Sequence, residues 1–83
     1  MKVRIRYFAS VREALSSSGE TVDTQAATLA ALRDELIARG GAYATALARG
    51  KAVRMALDQL MSDEAATLGD DCEVAFFPPV TGG

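Results

Sequence analysis

The chain closes on Gly82-Gly83, and the α-carboxylate carried there is the group in this sequence best suited to chemistry. Two residues without side chains have a minimal cross-section and reach backbone angles closed to other residues. Such an end suits threading a narrow tunnel in another protein and presenting its own carboxylate as the reacting group. Before it, Pro78-Pro79-Val80-Thr81 reads as an extended lead, because proline fixes its own φ and biases the preceding residue toward extended backbone. Six extended residues reach roughly 20 Å. A glycine-rich frayed terminus would give the same letters. The other candidates are weaker. Cys72 is the single cysteine and the chain has no histidine, so no imidazole stands by to generate a thiolate. A lone cysteine beside a strand reads as a small buried hydrophobe. Asp70-Asp71 and Asp63-Glu64 lack other evident ligands and read as turns rather than as a metal site.

A terminal group needs a body to present it, and composition bounds that body. Eighty-three residues make one domain. A chain near this size buries only about 60–65% of its extended surface, too little for a self-contained enzyme with a deep two-walled cleft. Eleven acidic and nine basic residues give a net charge of −2, without the broad basic field of a nucleic-acid binder. Hydrophobic residues at 49% argue for a folded domain. With no disulfide possible within the chain, a reducing compartment, the cytoplasm, is expected. The first residues alternate rather than forming an apolar block, so no signal peptide is expected. No apolar run approaches the roughly 20 residues that span a bilayer.

The elements follow from periodicity. Val3, Ile5 and Tyr7 alternate with Lys2, Arg4, Arg6 and Phe8, a half-buried strand whose charged face also carries the Phe8 ring. Val11 and Leu15 are four apart and suit a short helical turn, which Ser16-Ser17-Ser18-Gly19 ends. Glu20 to Thr24 is a polar strand, expected at a sheet edge. Thr28 is placed to cap a helix carrying Leu29, Leu32, Leu36 and Ile37 inward, with Arg33, Asp34 and Arg39 expected on the wetter side. Gly40-Gly41 stops it. Ala42 to Ala48 reads as a further short helix or an irregular crossing, with Tyr43 and Leu47 inward. Val53, Met55 and Leu57 alternate as a third strand, Asp58-Gln59 turns, and Leu60-Met61 begins a fourth. Leu68 tucks in under a turn-rich connection. Glu73 to Phe77 is the last strand, with Val74 and Phe76 on one face and Glu73, Ala75 and Phe77 on the other. The whole is α+β, a sheet over one main helix, with residues 1–77 as the domain and 78–83 as a flexible tail.

The run Glu73-Val74-Ala75-Phe76-Phe77-Pro78-Pro79-Val80-Thr81-Gly82-Gly83 resembles the terminal signature of the molybdopterin synthase small-subunit family, the sulfur carriers of molybdenum-cofactor synthesis. Tyr7-Phe8-Ala9-Ser10-Val11-Arg12-Glu13 is similar to that family's first strand and following turn. Many members carry Asn where this chain has Asp58, and Gly-Asp where it has Asp71-Cys72. The resemblance implies a β-grasp, ubiquitin-like mixed sheet. It also implies a mechanism in which an E1-like adenylyltransferase uses ATP to activate Gly83. The end then becomes a thiocarboxylate and donates sulfur to a pterin precursor inside the large subunit. The chain itself would bind no cofactor. A two-plus-two heterotetramer with the large subunit is implied, with no nucleic acid and no membrane as partner.

Phe8, Met61 and Phe77 are expected to share the sheet face away from the core, and the resemblance places partner contacts at these positions. Pro78, Pro79, Val80, Thr81 and Gly82 would line the arm behind Gly83. Lys2, Arg4, Arg6 and Arg12 form a basic N-terminal cluster that either meets an acidic partner surface or is a solvated face. Three other readings stay open: a carrier for another pathway such as thiamine thiazole synthesis, a ubiquitin-like modifier of lysines, and an interaction domain without terminal chemistry.

Overall fold

In the computed structural model, which describes residues 1–79, the first strand obeys its alternation. β1 (Lys2–Tyr7) buries Val3, Ile5 and Tyr7 and turns Lys2, Arg4 and Arg6 to solvent. α1 (Ala9–Leu15) follows directly, with Val11 buried and Leu15 against the core. It ends on Ser16 in the left-handed conformation, whose N–H donates to the Arg12 and Glu13 carbonyls. β2 (Gly19–Asp23) pairs antiparallel with β1 and forms one edge of the sheet, as its polarity predicts. Gly19 lies inside this strand rather than in the turn before it. A Cβ there would sit 2.5 Å from the Ile5 carbonyl oxygen, so only glycine lets the two backbones approach this closely.

α2 (Leu29–Ile37) begins where the Thr28 hydroxyl accepts a hydrogen bond from the Ala31 N–H at 3.2 Å. Leu29, Leu32 and Leu36 are wholly buried against the sheet. Gly40 and Gly41, at φ 77° and 54°, turn the chain into α3 (Gly41–Ala46), after which Leu47 is buried and Tyr43 packs on the core. β3 (Arg54–Leu57) and β4 (Leu60–Ser62) form a hairpin. Its two-residue turn, Asp58-Gln59, has φ of 50° and 69°, the mirror-image turn whose twist matches paired strands. Asp tolerates that region better than most residues, and the Asp58 carboxylate accepts from the Glu73 N–H at 3.0 Å. β5 (Cys72–Phe77) closes the sheet.

The strand order is β2-β1-β5-β3-β4, with β1 and β5 parallel at the centre and the remaining pairs antiparallel. A five-stranded mixed sheet curved over one main helix is the β-grasp arrangement that the sequence implied.

Arg33 departs from its expected place. Its position on α2 reads as wet, yet it is only 5% exposed. Its guanidinium donates to the carbonyls of Leu47, Ala48 and Lys51 and to Glu64. Those carbonyls end no regular ladder of their own, and a buried guanidinium with five donors satisfies several at once. The side chain therefore points inward as a brace between α2 and the 47–51 connection. Glu64, expected to be a plain turn residue, is the anion of this brace and also meets Arg49, which reaches on to Asp34 at 2.7 Å.

Candidate functional site

The parallel pairing of β1 and β5 builds the site. Tyr7 stands opposite Phe76 in register, so the next residue of each strand, Phe8 and Phe77, emerges at the same end. The Phe8 N–H donates to the Phe76 carbonyl at 3.1 Å, fixing that relation. Across the sheet, Ala75 opposes Ala56 and Ala56 opposes Met61. Opposed residues share a face. Phe8, Met61 and Phe77 thus surround a floor of Ala56 and Ala75, with Arg6, Gln59 and Glu73 at the rim, in a shallow depression of about 470 Å³. Phe8 is 37% exposed and Met61 63%, while Phe77 is half-buried rather than fully open. All three residues named from the sequence therefore come together. Leu60 was not among them, yet it is 71% exposed. It pairs with Leu57 on the helix side of the sheet, at the edge strand, where the helices no longer cover it. Its apolar type next to Met61 was the available signal.

Beside this face, Pro78 and Pro79 are half-buried. Pro78 borders a second groove of about 270 Å³ with Val11, Ala14 and Val53. The groove runs between α1 and the point where the chain leaves the sheet. Val80, Thr81, Gly82 and Gly83 lie outside the described residues.

The charges separate into two groups. Arg4 reaches Asp71 at 3.3 Å and Glu73 at 3.7 Å, and Asp70 accepts from the Lys2 N–H. Asp70 and Asp71 form a turn, with Asp71 at φ 60°. Arg6 instead lies over the Phe8 ring, 5.3 Å from its centroid. On the helix side, Glu20 accepts from Tyr7 at 2.8 Å, Tyr43 at 3.0 Å and Arg39 at 2.9 Å. Burial works against charge on Glu20, but the bonds from Tyr7, Arg39 and Tyr43 outweigh it and hold the carboxyl below its ordinary range. Burial, then the Glu20 bond, pushes the Tyr7 hydroxyl well above its ordinary value. Hydrogen bonds from Arg49 and Arg33 likewise hold Glu64 low. Cys72 is buried at 6% exposure, as a small hydrophobe.

Arg6 and Glu73 are the ionisable residues bordering the depression, whose other lining is mostly apolar. Among the described residues no group of three or more His, Cys, Asp or Glu is gathered to hold a metal. No helix among them is long and apolar enough to cross a membrane.

Comparison with known proteins follows the geometry. The ThiS family profile matches residues 5–83. The chain is 40% identical over 82 residues to the molybdopterin synthase sulfur carrier subunit of Escherichia coli (strain K12), covering 98% of this chain and 99% of that one. It is 37% identical over 81 residues to the protein of the same name from Haemophilus influenzae, with 98% and 99% covered. Among solved structures, SAMP1 from Haloferax volcanii superposes with a TM-score of 0.77 at 24% identity over 100% of both chains. A complex of subunits 1 and 2 of molybdopterin-converting factor from Helicobacter pylori 26695 contains a chain that matches with a TM-score of 0.70 at 24% identity, again over 100% of both. At that identity the two structures speak to the fold.

Proposed function

This chain belongs to the ThiS family, and from that premise we propose that it is the sulfur carrier subunit of a molybdopterin synthase. The observation that carries the reading is the nearly end-to-end likeness to curated carriers of that name. Residues 1–77 serve as the folded grip and 78–83 as the loaded arm. An E1-like adenylyltransferase joins the Gly83 carboxylate to the AMP half of ATP and releases pyrophosphate. A free carboxylate is a poor electrophile because its charge is delocalised, whereas the mixed anhydride has a good leaving group. A sulfur donor then attacks the carbonyl carbon, the bond to AMP breaks, and a terminal thiocarboxylate forms. Its sulfur is a nucleophile on a slim arm, with Gly82 beside it, and is passed to the pterin precursor within the large subunit.

The chain's own residues do the docking. Phe8, Met61 and Phe77 seat on the large subunit, and Pro78, Pro79, Val80 and Thr81 lead the end into its channel. The largely apolar lining of the depression supports this division, in which acid–base groups and the ATP site belong to the partners. The Helicobacter pylori complex of the two subunits supports a large-subunit partner. A two-plus-two assembly working in the cytoplasm completes the reading.

Mass spectrometry of the chain from cells with the pathway intact tests it. A species with one terminal oxygen replaced by sulfur is expected, and its absence contradicts the reading. Removing Gly83, or adding a residue after it, should abolish sulfur transfer and leave thermal unfolding unchanged. Recovery of isopeptide adducts joining Gly83 to lysines, without a thiocarboxylate-dependent cofactor, would favour a protein modifier instead.

A further inference from the structure

Resting on the proposed complex with a large subunit, we propose that the surface receiving this chain is acidic around the point where the tail enters and apolar beside it, so that charge steers the encounter. Arg4, Arg33, Arg39 and Arg49 are ion-paired within the fold. Lys2, Arg6, Arg12, Lys51 and Arg54 have no such pair among the described residues. Three of these frame the exit of the tail. Arg6 shares the depression with Phe77. Arg54 opposes Phe77 across the β3–β5 ladder. Lys51 borders the groove that Pro78 also lines. All three are exposed.

The opposite end of the same sheet face carries acid in excess. There Arg4 is shared by Asp71 and Glu73, and Asp70 and Asp58 accept from the backbone N–H groups of Lys2 and Glu73. A chain of net charge −2 therefore presents unbalanced positive charge at the tail end of its apolar face. Like charges gathered there weaken the chain's own fold slightly and find their counterpart only in a partner. The Arg6 guanidinium, weakly hydrated and held over the Phe8 ring, is pre-oriented for a carboxylate. The basic cluster suggested by sequence adjacency is thus regrouped. Arg4 is internally paired and Lys2 lies at the far end, while Arg54 and Lys51 join Arg6.

The test is the association rate of the full chain with its isolated large subunit over a range of ionic strength. The rate should fall steeply with added salt. Arg6→Glu, Arg54→Glu and Lys51→Glu should each slow association at low salt by about tenfold and flatten the salt dependence. Lys2→Glu makes the same charge change at the far end and should stay within about twofold of the parent, because screening limits reach to roughly 10 Å. Matching thermal midpoints across the four variants show that folding is not what differs. A salt-insensitive rate, or equal slowing by Lys2→Glu, overturns this inference while leaving the carrier reading in place. Failure of the parent chain to bind at any ionic strength overturns both.

Discussion

Phe76 and Phe77 are consecutive in β5, yet they belong to different regimes. Phe76 has no exposure, lies 6.2 Å from the Tyr7 ring between centroids, and is enclosed by the core. Phe77 is half-buried on the far face, beside an exposed Met61. On the helix side the large groups of the core are satisfied by the chain itself, including the buried Arg33, while Leu60 at the edge strand stays exposed. On the other side comparable apolar groups are left for something outside the chain. The alternation of one strand sends adjacent aromatics to the core and to the open face, so stability and the proposed docking are separable by mutation.

The largest effect should come from the inner face. Phe76→Ala should cost about 3–5 kcal/mol, enough to unfold much of a domain with marginal stability; urea denaturation followed by circular dichroism measures it. Arg33→Ala should follow at about 3 kcal/mol, because it removes the donor to the carbonyl of buried Leu47 and leaves Glu64 without its buried partner. If Arg33→Ala proves neutral, the brace is ornamental and the inner face is less complete than described. Glu20→Gln should cost about 1 kcal/mol at neutral pH. Its sign with pH is fixed by the lowered carboxyl: the stabilisation is present above the ordinary Glu value of 4.5 and is lost as pH falls through the lower folded value. The parent should therefore lose its advantage over Glu20→Gln in acid melts below that value. The smallest stability effect belongs to the outer face. Phe77→Glu should change the melting temperature by no more than a few degrees while weakening large-subunit binding by tenfold or more, on the order of 1.4 kcal/mol. An unchanged affinity would erase the distinction between the two aromatics.

Much of this could be read from the sequence, because much of it is local. Alternation placed Val3, Ile5 and Tyr7 inside and assigned Phe8, Met61 and Phe77 to one face. Thr28 capped its helix and Asp58-Gln59 turned the hairpin, whereas α2 ended at Ile37 with Ala38 as its cap and Gly40-Gly41 opened α3 instead of stopping α2. What escaped was long-range. Arg33 reads as a wet helix position because its partners lie at Leu47, Ala48, Lys51 and Glu64, and no window on the helix contains them. Glu64 was passed over for the same reason. Gly19 looked like turn chemistry, since its need for a bare Cα arises from the Ile5 carbonyl on a neighbouring strand. The split of the basic cluster likewise depends on which cations Asp71 and Glu73 reach.

The central pairing of β1 with β5 carries one more consequence. Val3 is matched with Val22 on one side but with Cys72 on the other, nearly the whole chain away, so the first strand's inner edge waits for the last strand. Such distant contacts make folding slow, because loop closure precedes any reward. A nascent chain halted before Cys72 has neither the sheet's middle nor the paired aromatics at its end.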